Sequence, residues 1–266
     1  RLFLSILLPG LPVGVVDCDA YDSLADAILG IDANERNLAI FSNQHVEEDV
    51  TVPANVNLIF SLCGCLNIDA GDTVTINGTL EAGLYQIFEG DGDVVFGLGS
   101  VEQVEISWFG VTGDDAVDDH VAMQKAITAA GSGTTHISIA PTRWKITDYL
   151  EIIDDNATIK CEWKEGTIRQ GTWGYPVFYI RADNVSIYNP YLVSTETRSA
   201  ISDDMATAHS GDGAENEGTL DAFNFSAGIF ISAERDDKGS RFQTNRWYAE
   251  GFTVGIFARG SVGQDL

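Results

Sequence analysis

Asp154-Asp155-Asn156-Ala157-Thr158-Ile159 and Ala182-Asp183-Asn184-Val185-Ser186-Ile187 read as one corner written twice, 28 residues apart. In each copy an Asn, which tolerates the left-handed turn conformation, precedes a run that alternates apolar and polar residues. Alternation with period two is the mark of a strand with one buried face. A corner of this kind returning along the chain signals a coiled solenoid. Around it the sequence predicts further short strands at Thr135–Ile139, Trp144–Thr147, Gly166–Arg169, Val177–Ile180, Tyr191–Ser194, Gly228–Ser232 and Gly251–Ala258, with a turn at Pro141. Between the fifth and sixth of these, the polar stretch 199–219, with Asp203, Asp204, His209, Asp212, Glu215 and Glu217, reads as a long loop.

Upstream, Val121, Ala122, Met123, Ala126, Ile127 and Ala130 fall on one helical face. Asp118 and Asp119 stand where carboxylates take the open N–H groups of a helix start, and Gly131 ends the helix. Met123 and Ile127 are expected to cover the first rung. Nearer the N-terminus, residues 21–35 predict a short helix capped by Asp22 or Ser23. Strands are expected at Leu38–Phe41, Val50–Val52, Leu58–Leu62, Leu66–Ile68 and Thr73–Ile76, the last turning at Asn77-Gly78. Their spacing suits a sandwich or a coiled solenoid. Leu2–Val16 is apolar, but Pro9, Gly10, Pro12 and Gly14 interrupt it and it is too short to span a bilayer. It is expected to dock on a partner chain. The start at Arg1 without Met, and the lack of a cap before Leu266, are read as a fragment or processed form of a longer chain.

Forty Asp and Glu stand against 15 Lys and Arg, a formal net charge of −25. Nucleic-acid backbones and anionic membrane surfaces are therefore excluded as partners. At 44% hydrophobic residues the chain still buries a core and is no disordered acidic tail. The charge divides unevenly: residues 1–120 hold only two basic residues, Arg1 and Arg36, whereas all five Trp lie beyond residue 107. A boundary is placed there, giving an acidic β-rich module at 1–107 and a capping helix with its solenoid at 108–266. The cysteines Cys18, Cys63, Cys65 and Cys161 have no metal-ligand spacing and are expected as buried free thiols.

Trp108-Phe109-Gly110-Val111-Thr112-Gly113-Asp114-Asp115, then Asp118-Asp119 and Gln124-Lys125-Ala126-Ile127, resembles the N-terminal signature of pectate-lyase-like proteins. Asp115 stands where that signature has Gly, and His120 where it has Thr. Val50–Val56 and Thr73–Phe88 resemble the module that precedes the signature in bacteriophage tail proteins and bacterial surface proteins. The likeness covers roughly residues 21–160. It implies an all-β right-handed parallel β-helix with a short capping helix, behind a small β-rich N-terminal module. It further implies a tailspike or tail fibre subunit, a homotrimer that attaches to host surface polysaccharide, joined to tail or baseplate proteins through residues 1–107. The place would be a virion tail, or the extracellular space or a cell surface. A secreted polysaccharide lyase or glycoside hydrolase, and a non-enzymatic structural spacer, are the rival readings. Whether the chain depolymerises its glycan is left open.

Glycoside hydrolysis needs two carboxylates across the scissile bond. On neighbouring rungs, Glu234, Asp236 or Asp237 with Glu250 is the candidate set, against a plain solvated role. Arg235, Lys238, Arg241 and Arg246 beside Trp247 and Tyr248 are candidates to hold acidic sugars and stack on rings. Trp163, Trp173, Tyr175 and Tyr179 form a second aromatic group, which the alternative reading places in the coil or a trimer seam. No cofactor is expected. A divalent cation such as calcium is considered at Asp91 and Asp93, but the full ligand set is missing and a Gly turn is the simpler reading. His45, His120, His136 and His209 are scattered and form no metal motif.

Overall fold

A computed structural model describes residues 14–31, 36–131, 136–139, 142–161, 167–172, 175–194, 227–232, 242–252 and 254–259. Most of the segment 2–16, Pro141, Trp163, Trp173, the stretch 199–219 and residues 233–241 lie outside them. The fold is a parallel β-solenoid in two compact units. One holds Arg1–Val111 with Thr128–Thr135, the other Thr112–Ile127 with His136–Leu266.

In the first unit the chain visits three sheets in turn. The first contains Val15–Asp17, Arg36–Ile40, Val56–Phe60 and Leu80–Glu81; the second Asn43–Val46, Cys65–Ile68 and Phe88–Gly90; the third Val50–Val52, Thr73–Ile76 and Asp93–Phe96. Every pairing is parallel and in register, so like positions stack into columns. Val50, Val74 and Val94 form one buried column, and Val52, Ile76 and Phe96 the next. Each such side chain contributes roughly 1.5–3 kcal/mol by leaving water. Phe60, Phe88, Phe96, Trp108 and Phe109 interlock across the sheets, with ring centroids 5.2–6.2 Å apart. The module read as sandwich or solenoid is thus a solenoid. Asn43–Val46, Phe88–Gly90 and Asp93–Phe96 went unread because each is short and mixes polar residues into the run. The helix expected over 21–35 spans Leu24–Leu29, and Ser23 caps it by accepting from Asp26 N at 3.1 Å.

Three cysteines are buried and free, and burial pushes the thiols of Cys18, Cys65 and Cys161 up to about 12. Cys63 is the correction: expected buried, it sits exposed in the turn before Cys65–Ile68.

On the surface of this unit His45 Nε2 lies 2.8 Å from Asp69 Oδ1, and Nδ1 lies 3.1 Å from Glu47 Oε1. The Asp69 hydrogen bond, then its charge, raises the imidazole pKa above its ordinary 6.5. A raised folded-state pKa stabilises the fold fully below about pH 6.5, and the contribution disappears as pH climbs through the folded value. Because the site is exposed, the effect is small and screened by salt. The His45 ring, followed by NMR in the intact chain, is expected to titrate above 6.5 and to move down in Asp69→Asn. A midpoint at or below 6.5 would contradict this.

In the second unit three sheets again alternate. The first contains His136–Ile139, Thr158–Cys161, Val185–Tyr188 and Phe242–Asn245; the second Asp114–Asp118, Arg143–Ile146, Thr167–Gln170, Tyr191–Ser194 and Tyr248–Glu250; the third Leu150–Ile152, Phe178–Ile180, Ala227–Ser232 and Val254–Arg259. The two matching corners stack, as expected. Asn156 and Asn184 both have positive φ, of 67° and 57°, and their side chains bond at 2.8 Å. Asp183 N donates to Asp155 Oδ1 at 2.9 Å. Ile137, Ile159 and Ile187 form a buried column in the first sheet, and Leu150, Phe178 and Ile229 another in the third. The buried Gln170 is satisfied: its amide donates to Asp148 O and Pro176 O and accepts from Thr172 N.

The helix His120–Ala130 buries Met123, Ala126 and Ile127, and Gly131 follows it at φ +49°. Its side chains close the open edge of strand Leu150–Ile152. Gln124 Nε2 donates to Glu151 O at 3.1 Å while its Oε1 accepts from Glu151 N at 2.8 Å, as a neighbouring strand would. His120 Nε2 lies 3.0 Å from Tyr149 O. The two aspartates divide their work differently from the sequence reading. Asp118 Oδ1 accepts from His120 N at 3.1 Å, in the helix's first turn, and from Thr147 N. Asp119 turns away from the helix. It accepts from Thr112 N at 2.7 Å, Thr112 Oγ1 at 3.0 Å and Gly113 N at 3.2 Å. Only its backbone carbonyl serves the helix, accepting from Met123 N.

Candidate functional site

The second sheet of the second unit builds the site. Along each strand alternate residues point inward: Trp144, Ile168 and Leu192 form one buried column, and Ile146 and Gln170 start the next. The residues between them face out. Register sets Arg143, Thr167, Tyr191 and Tyr248 in one outward column, and Lys145, Arg169, Val193 and Glu250 in the other. Neighbours in a column are about 4.8 Å apart, the strand spacing. Arg143 heads the first column and the two tyrosines end it, whereas Lys145 and Arg169 head the second and Glu250 ends it.

Tyr191 and Tyr248 stack with centroids 4.4 Å apart and planes 20° off parallel. Tyr248 Oη donates to Glu250 Oε2 at 3.1 Å, and that bond, then the Glu250 charge, raises the phenol's pKa. Upstream, Arg169 grips Asp115, with Nε donating to Oδ1 at 2.5 Å, Nη2 to the backbone O at 3.1 Å, and Nη2 also paired with Oδ2. Asp115 holds φ +64°, a conformation that suits the Gly of the resembling signature, and Arg169 fixes it there. Lys145 Nζ reaches Ala116 O at 3.5 Å. Arg143 is exposed.

Of the sequence candidates, Tyr248 and Glu250 come together here, and Arg246 stands in the corner two residues before Tyr248. Trp247 turns aside: its ring lies over Gly255, where an added Cβ would come 2.5 Å from the indole. Tyr175 belongs to a different cluster, beside the third sheet. There it stacks on Tyr149 at 6.0 Å, Tyr149 meets Tyr179 edge-on at 5.4 Å, and Tyr179 contacts Phe230 at 5.4 Å. Arg181 lies 5.8 Å from the Tyr179 ring centre and donates to Glu151 Oε1 at 2.9 Å. Glu234, Arg235, Asp236, Asp237, Lys238, Arg241 and Trp173 lie outside the described residues. Glu250 stands in register with Val193, so its column partner among the described residues is no second carboxylate. Sequence reading missed Tyr191, whose partner lies beyond the long segment 195–226, and no local signal could have paired them.

Asp91 and Gly92 form the turn between Phe88–Gly90 and Asp93–Phe96. Among the described residues no group of three or more His, Cys, Asp or Glu is arranged to hold a metal ion. No described helix is long and apolar enough to cross a membrane.

These features define the class: a parallel β-solenoid that carries a stacked tyrosine pair beside a carboxylate on an outward sheet face. No family model, curated protein or solved structure matches the chain.

Proposed function

We propose that this chain is the glycan-contacting part of an attachment protein of the tailspike or tail fibre kind, borne on a virion tail or a cell surface. The observation that carries the reading is the outward Tyr191–Tyr248 stack with Glu250 beside it. Aromatic faces pack on the apolar faces of sugar rings, and a carboxylate accepts from sugar hydroxyls. A parallel sheet pinned by buried columns holds such groups rigidly, so little ordering entropy is lost on binding. A polysaccharide is the partner this surface suits, and the resemblance at residues 108–127 supports the same assignment.

The test is binding of the 266-residue chain to surface polysaccharides. Tyr191→Ala with Tyr248→Ala is expected to weaken binding about tenfold or more, with the circular dichroism spectrum kept. Unchanged affinity in that double variant rules the site out. Polymer length and new reducing ends or unsaturated uronates in the same samples separate attachment from depolymerisation.

A further inference from the structure

Arg246 departs from the residue choice that the rest of the solenoid makes at its corners. Register continues from Tyr188 opposite Asn245, so Arg246 occupies the place that Asn189 holds one turn earlier. Both are left-handed, Asn189 at φ +55° and Arg246 at φ +45°. The other non-Gly left-handed positions among the described residues are Asn156 and Asn184, at φ 67° and 57°, and Asp115 at φ 64°, all with short side chains held by hydrogen bonds. Asn is tolerated there because its short side chain bonds locally, whereas a long side chain gains nothing to offset the Cβ crowding. Backbone strain of this kind persists where a site requires the residue.

Two further facts say what that requirement is. Arg246 is exposed and, among the described residues, pairs with no carboxylate, although the chain has 40 acidic residues and only 15 Lys and Arg. It also stands in the corner two residues before the strand Tyr248–Glu250. A chain of net charge −25 repels polyanions at long range, so an acidic ligand is held only where a cation is placed against it. Arg143, also exposed, stands at the far end of the column that holds Tyr191 and Tyr248 and is a second cation on that face.

We infer that Arg246 is the specificity-determining residue of the tyrosine site and that it selects an acidic glycan, through a carboxylate, sulfate or phosphate group on the sugar. This rests on the glycan reading above. Guanidinium presents a planar fork that meets such groups with two parallel hydrogen bonds.

The full chain is applied to an array of matched acidic and neutral oligosaccharides, the acidic members bearing uronate, sialate, sulfate or phosphate. The strongest binding is expected among acidic members, and their order identifies which anion is read. Arg246→Asn is expected to lower that binding about tenfold to a hundredfold while raising Tm by about 2 °C, since Asn relaxes the corner. Arg246→Lys, which keeps the charge but loses the fork, is expected to fall between. Strongest binding to neutral members, or acidic binding unchanged in Arg246→Asn, overturns the inference. If neutral binding then depends on Tyr191 and Tyr248, the glycan reading stands without it; if no member binds, both fall. A Tm that stays or drops in Arg246→Asn removes the strain premise.

Discussion

Asp119→Ala is expected to cost the second unit about 2–3 kcal/mol. The side chain is only 2% exposed, and its carboxylate gathers two backbone N–H groups and a hydroxyl from Thr112 and Gly113. Removing it costs three part-buried hydrogen bonds, at roughly 0.5–1.5 kcal/mol each, and leaves a cavity where the buried carboxylate stood. Asp119→Asn keeps the volume but turns an amide group toward donors, so it too is expected to lose most of that stability. The helix start survives in part, because Met123 bonds to the backbone carbonyl of residue 119. The loosened turn feeds directly into strand Asp114–Asp118, which edges the sheet that carries the tyrosines. Urea unfolding followed by fluorescence gives the number. A loss under about 1 kcal/mol would mean that the Thr112–Gly113 turn holds its shape without the carboxylate.

Gly78→Ala is expected to be comparably severe in the first unit. A Cβ there would stand 1.8 Å from the Val56 carbonyl oxygen and 2.8 Å from that of Pro53. Both are backbone atoms of the preceding turn, which cannot rotate away as a side-chain tip can. The turns must part locally, and overpacking of this kind costs about 3 kcal/mol or more. Gly71 gives the contrast. Its φ of +94° disfavours any side chain, but nothing lies within 4 Å, so Gly71→Ala is expected to cost only about 1–2 kcal/mol. Equal melting of the two variants would show that backbone conformation, not the neighbouring turn, sets the requirement for glycine.

The Asn77-Gly78 dipeptide shows how a correct local signal can carry the wrong cause. As sequence it reads as a turn that ends the strand Thr73–Ile76, because Asn and Gly accept turn conformations. In the fold it is a solenoid corner whose strands run parallel, and Gly78 is required by Val56 of the turn beneath it. The same limit applies to Asp119. Its place before an apolar helical face marks it as a cap, yet the donors it serves lie six and seven residues upstream in a turn that only the folded chain brings back. Cys63, expected buried like the other cysteines, is exposed, because residue type alone does not say that it falls in a turn.

The sequence by itself determined the repeating corners, most strand positions and the capping helix, down to the left-handed Asn156 and Asn184. These depend on backbone preferences and on the side-chain periods of strand and helix, which act within a few residues. Register between turns was decided only in the tertiary structure. Each turn sets its own length, so which outward residues share a column follows from how the buried columns stack, not from any fixed interval. The juxtaposition of Tyr191 with Tyr248, the hold of Arg169 on Asp115 and the closure of the Leu150–Ile152 edge by Gln124 all come from that stacking. The candidate site is therefore a product of register, and register is fixed by the burial of apolar columns across the whole coil.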